Sequence, residues 1–151
     1  MKTGSIEGTR PDQPVNSVAT ILEQETQATI NDWFQRSMAN NLLVSIPLEE
    51  SLRTSHLPGL FRDLVNRLRY PLPRRALASP AAGAHGLVRR RQGYTAGMLI
   101  EESRMLEVSI FHALHSNAHR IDFNVLLPDV MVVADEVDSQ LAQAMESYTA
   151  V

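Results

Sequence analysis

The chain has 151 residues, enough for one domain with a sizeable core and too few to expect two. Its 44% hydrophobic and 21% charged residues are ordinary for a globular protein, and the absence of cysteine removes disulfides and thiolate chemistry. No apolar run reaches the roughly 20 residues of a membrane-spanning helix, because the best, residues 125–133, is broken by Pro128 and Asp129; a cytoplasmic location without membrane contact is expected.

The net charge of −3 conceals an uneven distribution: residues 1–50 carry a formal −4, residues 51–91 +8 and residues 92–151 −7. An arginine-rich middle between acidic segments is expected to neutralise them within one fold. The basic groups lack interleaved aromatics, and a pI of about 5.9 gives little attraction to phosphate. Nucleic acid is therefore not an expected partner.

Residues 1–14, with Gly4, Gly8, Pro11 and Pro14 and no secretory pattern, read as a flexible lead-in to a helical domain over 15–151. Residues 16–41 predict one helix with Val18, Leu22, Ile30, Trp33, Phe34 and Met38 inward, stopped at Asn40-Asn41. Pro47 suits the first turn of a short helix through Arg53. Leu57, Leu60, Phe61, Leu64, Val65 and Leu68 then form an amphipathic face that Tyr70-Pro71-Leu72-Pro73 ends. Residues 71–82 read as a loop, before a helix that carries His85 and terminates at Gly93.

Thr95 is a good cap for the next helix, with Tyr94 placed to staple against Leu99, and Leu99, Leu106, Ile110 and either Ala113 or Leu114 follow the helical period. Asp122 caps the last helix, where Leu126, Val130, Val133, Val137, Leu141, Met145 and Tyr148 recur at steps of three and four. Pro128 lies too deep for its first turn, so it either kinks this helix or marks its true start. No strand or internal repeat emerges. The expected fold is all-α, a single bundle of about five or six helices.

One segment is more specific. Ala84-His85-Gly86-Leu87-Val88-Arg89-Arg90-Arg91-Gln92-Gly93-Tyr94-Thr95, followed by Leu99, Glu102 and Leu106, contains His-Gly-x-x-Arg, then Gln-Gly-Tyr, then Leu-x-x-Glu and a further Leu. It resembles the N-terminal regulatory domain of RsbT co-antagonist proteins (the RsbRD type), also found in bacterial sensor kinases and transcription regulators. Trp33 on an early helix, Leu57-Pro58-Gly59-Leu60 and a final helix ending near Tyr148 extend the likeness along most of the chain, while the Arg89-Arg90-Arg91 triplet and Pro128 depart from it. The resemblance implies a non-catalytic sensory or regulatory input domain of a bacterial signalling protein, in stress-response or two-component signalling. A STAS-type, kinase or transcription-factor output domain would normally follow.

The residues themselves offer a few chemical candidates. Glu102, three positions from Leu99 and four from Leu106, lies close to the buried stripe. A carboxylate there needs a partner, for which Arg89 or His85 is the natural candidate; the alternative is a solvated side chain. His85 in Ala84-His85-x-Leu87 also resembles the phosphorylated helix of histidine phosphotransfer domains, although Val88-Arg89 stands where Lys-Gly normally follows. Phosphotransfer through His85 is thus an alternative function. His112, His115 and His119 share a predicted helix face but lack a neighbouring carboxylate for a metal signature; a globin-like haem or ligand sensor is the other alternative.

No phosphate loop, nucleophile elbow or His-Glu-x-x-His motif is present, so no catalytic residue, metal site or cofactor is expected. The last helix carries more apolar residues than one core stripe requires. Leu127, Met131 and Val132 are the candidate surface of a homodimer, with a downstream output domain or signalling protein as the other partner.

Overall fold

In the computed structural model, which describes residues 16–70 and 77–150, the chain is an all-α bundle. Its helices are α1 (Val18–Gln24), α2 (Thr26–Met38), α3 (Asn41–Val44), α4 (Glu50–Thr54), α5 (Leu57–Arg69), α6 (Pro80–Arg91), α7 (Ala96–Ser116) and α8 (Phe123–Thr149), with a 3-10 turn at Ala118–Arg120. Five of them, α2, α5, α6, α7 and α8, are twelve residues or longer, which matches the expected bundle. Among the described residues the only β-type contact is an isolated bridge between Asn16 and Ile121. The expected lead-in over 1–14 lies outside the described residues.

Several boundaries differ from expectation, each for a local reason. The helix expected over 16–41 divides at Glu25 (φ −94°, ψ 10°). Thr26 Oγ1 there bonds back to the carbonyls of Leu22 at 2.8 Å and Glu23 at 3.1 Å, competing with the continuing helix. Asn40 does end α2, but its side chain accepts from the N–H groups of Leu42 and Leu43 at 3.0 and 3.1 Å and starts α3. Pro47 precedes α4, whose N-cap is Glu49. α6 begins at Pro80, inside the stretch expected to be loop, because Ser79 Oγ accepts from the Ala82 N–H at 3.1 Å and Pro80 occupies a position with no N–H to satisfy.

The later caps follow the sequence. Gly93, at φ +89°, closes the α6–α7 turn. Thr95 Oγ1 accepts from the Met98 N–H at 3.2 Å, and Asp122 Oδ1 from the Asn124 N–H at 2.9 Å. α8 continues through Pro128, so this proline is not the start of the helix. Both Pro128 and Asn124, the residue whose carbonyl loses its N–H partner, are exposed to water.

The core gathers Val18, Leu22, Ile30, Trp33, Leu57, Phe61, Leu64, Leu99, Leu106, Ile110, Val133 and Val137. Phe34 and Leu68 are partly buried, and Met38, expected inward, is exposed. α7 lies against α2 on one side and α8 on the other, α5 against α1 and α8, and α6 along α8. The α6–α8 packing is very close at one point: a Cβ on Gly86 would lie 2.0 Å from the carbonyl oxygen of Ala144.

Charge pairing follows the segmental pattern. Arg69 pairs with Glu23, Arg67 with Asp135 and with Glu136, and Arg89 with Glu102. Each pair joins the basic middle to an acidic flank, so charge complementarity helps set the bundle's arrangement.

Candidate functional site: a buried histidine, carboxylate and arginine cluster

Three helices, one junction and one turn bring polar groups together inside this core. His85 and Arg89 stand four residues apart on α6 and so share a helix face. Glu102 projects from α7, Trp33 from α2, and His56 from the short junction between α4 and α5. The turn between α6 and α7 adds Tyr94.

Glu102 is the hub. His85 Nε2 lies 3.0 Å from Glu102 Oε2, and Arg89 Nε lies 2.9 Å from Oε1 and 3.3 Å from Oε2. A carboxylate can only accept, so the neutral His85 ring presents its proton at Nε2. The Arg89 N–H is directed at Oε2, leaving Oε1 close to the guanidinium without a directed hydrogen bond. Trp33 Nε1–H donates to the Glu102 backbone carbonyl at 3.1 Å, which ties α2 to the same turn of α7.

Arg89 is 1% exposed, and both of its Nη atoms also find acceptors. Nη1 donates to the Leu52 carbonyl at 3.2 Å and to Gln92 Oε1 at 2.8 Å, and Nη2 to the Arg53 carbonyl at 2.6 Å. A buried charge is tolerated when it is paired and hydrogen-bonded in this way. The guanidinium also lies 4.6 Å from the centroid of the Tyr94 ring. Arg53 makes a second buried node, donating to the carbonyls of Leu43 at 3.1 Å and Ile46 at 2.7 Å and to the Tyr94 hydroxyl at 3.3 Å.

His56 completes the cluster. Its ring stacks on His85 at 3.6 Å between centroids with only 9° between planes, and meets the Trp33 ring edge-on at 5.6 Å. Its Nδ1 is sealed from solvent and has no hydrogen-bond partner among the described residues. Burial pushes the His56 pKa well below the usual 6.5, helped by the adjacent His85 and the Arg89 charge. Burial also lowers His85, with the hydrogen bond and charge of Glu102 opposing and Arg89 reinforcing the shift. Both rings are therefore neutral at physiological pH. Burial raises the Tyr94 phenol above 10, and the Glu102 charge adds to the shift.

A cavity of about 30 Å³ adjoins His56, His85, Glu102 and Gln140, room for a water molecule or an ion. One ligating atom from each of His56, His85 and Glu102 lies within 4.8 Å of the other two. His85, Arg89 and Glu102, singled out in the sequence, are thus brought together, and the solvated alternative for Glu102 does not describe its position. His56 was not legible: it is a lone histidine between Ser55 and Leu57, and no spacing rule joins it to residues 85–102.

The other candidates lie apart. His112, His115 and His119 are exposed, and His119 falls in the 3-10 turn after α7 ends at Ser116, so the three do not share one helix face. Leu127 and Met131 are 68% and 66% exposed, whereas Val132 is half-buried. Among the described residues, no helix is long and apolar enough to cross a membrane. Comparison of the chain with protein families, with curated proteins and with solved structures gives no match.

Proposed function

We propose that this chain is a non-catalytic sensory or regulatory input domain of a bacterial signalling protein, acting in the cytoplasm through helix packing and protein–protein contact. The observation that carries the reading is the route from the buried cluster to the last helix. His85 and Arg89 flank Gly86 on α6, and Gly86 touches the backbone of Ala144 on α8 with no side chain between. Backbone-to-backbone contact leaves no flexible side chain to absorb a displacement, so movement of His85 is passed to α8. Exposed Leu127 and Met131 on the same helix supply a surface for a homodimer or a signalling partner.

The alternatives draw less support. A phosphoryl carrier needs a reachable imidazole, and His85 is buried with Nε2 turned to Glu102. The cavity of about 30 Å³ beside it is far smaller than a porphyrin.

A chimera in which a histidine-kinase catalytic region follows residue 151 tests the reading. Glu102→Gln should shift kinase output severalfold, while Arg104→Gln, exposed on the same helix, should not. Equal output from all three chimeras would refute it.

A further inference from the structure

We propose that His56, His85 and Glu102 form a binding site for a divalent transition-metal ion of the zinc, cobalt or nickel class, and that occupancy of this site is the signal the domain reads; the second part rests on the sensory function proposed above.

The donors come from three separate elements and already converge, with ligating atoms within 4.8 Å of one another. Metal–nitrogen and metal–oxygen bonds of about 2.0–2.2 Å place neighbouring donors about 3.3 Å apart on a tetrahedral ion. The side chains therefore need to close by at most about 1.5 Å. Each imidazole ligates through an unprotonated ring nitrogen, so His85, whose Nε2 proton faces Glu102 in the empty site, must shift that proton to Nδ1 as the ion enters. The sealed Nδ1 of His56 has no partner in the present arrangement and would gain one.

The stack dictates how binding proceeds. An imidazole lone pair lies in the plane of its ring, and two rings 9° from parallel at 3.6 Å cannot both aim at one ion. His56 must turn about its Cβ–Cγ bond and leave the stack, and its ring lines the cavity that would take the ion. Occupied and empty states thus differ in a ring orientation at the α4–α5 junction. His85, released from its stacking partner, carries the change into α6 and through Gly86 to α8. A ligand shifts an equilibrium only by binding its two states unequally, and here the empty state lacks the required geometry.

Arg89 sets the class of ion. With a divalent cation bound, the guanidinium beside Glu102 leaves the pocket net positive, which disfavours calcium and magnesium, ions that rely on several carboxylates. Two nitrogens and one oxygen suit zinc, cobalt or nickel. Arg89 on the carboxylate, together with the Trp33 bond to the Glu102 carbonyl, provides the outer contacts that orient a ligating group.

Trp33 is the chain's single tryptophan and its ring centroid lies 5.6 Å from that of His56, so the protein carries its own reporter. Metal-stripped protein titrated with cobalt(II) should develop visible d–d bands that saturate at one ion per chain, with loss of most Trp33 emission at the same equivalence point. Zinc should displace the cobalt; magnesium and calcium should not. His56→Gln and Glu102→Gln should each weaken cobalt binding at least about tenfold, and the double variant His112→Gln/His115→Gln should leave it unchanged. The absence of cobalt bands in the unmodified chain overturns the proposal. So do bands that survive His56→Gln or disappear with the surface double variant. If His56→Gln does not fold, the unmodified chain decides, since cobalt bound without quenching of Trp33 lies elsewhere. A domain that ignores cobalt but couples Glu102→Gln to the kinase chimera loses the metal and keeps its sensory role. Cobalt bound at the cluster in a chimera that never responds does the reverse.

Discussion

Gly86 on α6 meets the backbone of Ala144 on α8 so closely that an added Cβ would lie 2.0 Å from the carbonyl oxygen, whereas one turn earlier a Cβ on Gly83 would lie 3.4 Å from Ser147 Oγ, a movable side-chain atom. The two glycines therefore respond oppositely to the same change. Alanine favours a helix interior over glycine by about 1 kcal/mol, and Gly83→Ala should gain part of that. At Gly86 the obstacle is backbone, so the helices must separate, and Gly86→Ala should cost about 1–3 kcal/mol despite its better propensity. Urea unfolding measures both. Equal effects at the two sites would show that α6 and α8 do not cross where described.

The Glu102 cluster should behave as a buried ion pair. Glu102→Gln leaves Arg89, 1% exposed, with its hydrogen bonds to carbonyls but no counter-charge. Removing one partner of such a pair typically costs about 3–5 kcal/mol. Arg104→Gln, which breaks an exposed pair with Glu101, should cost under about 1 kcal/mol. Similar losses for the two variants would mean that Glu102 reaches solvent.

These contrasts mark what was legible in the sequence. Periodicity identified the core faces of α5, α7 and α8, and Gly93, Thr95 and Asp122 fixed three boundaries because their chemistry acts over a few residues. The grouping of His85, Arg89 and Glu102 was readable from adjacent helices joined by a tight turn. The stacking of His56 on His85 and the bond of Arg53 to Tyr94 were not, since they span 29 and 41 residues and only tertiary packing brings these groups near. Likewise Glu136 and Gln140 lie buried on α8, where Gln140 donates to the Leu60 carbonyl at 3.0 Å; a rule that sorts polar residues outward misses them. The break at Glu25 arose from a threonine side chain bonding locally, which hydrophobic spacing does not register.

Acidification should destabilise the protein from near neutrality. Burial holds the pKa of His56 well below 6.5 and lowers that of His85 as well. From about pH 6.5 downward the unfolded chain binds protons that the folded chain refuses. Stability is therefore fully present above 6.5 and is lost as pH falls toward the folded values. The charges facing these rings are Arg89 and Glu102, and Tyr94 stays neutral throughout the range. Glu136 acts in the opposite sense at lower pH: burial raises its carboxyl above 4.5 against the pull of Arg67 and Gln140, so its contribution grows as pH falls through the carboxylate range. Unfolding free energies from urea titration at about pH 8 and about pH 5.5 should differ by at least about 1 kcal/mol, and His56→Phe should flatten the difference. A midpoint that stays constant or rises on acidification would show that the histidines protonate freely in the fold.

The surface of α8 should support self-association. Phe123, Leu127 and Met131 recur at four-residue intervals on the outer side of the helix, 85%, 68% and 66% exposed, and so form one continuous apolar stripe. Leu127 stands midway between the other two. A two-fold axis through it would set Phe123 of each copy against Met131 of the other, as an isologous contact requires. Charge in such a stripe prevents pairing without entering the core, because Val133 and Val137 point elsewhere and remain buried. Light scattering should give a dimer at tens of micromolar, on the order of micromolar dissociation constants for a small interface. Met131→Asp should convert it to a monomer with unchanged helicity by circular dichroism. Val132→Asp is a different case, since Val132 is half-buried; it should lower stability whether or not the dimer persists. A monomer in the unmodified protein, indifferent to Met131→Asp, would remove the stripe as a self-association surface and leave it to a different partner.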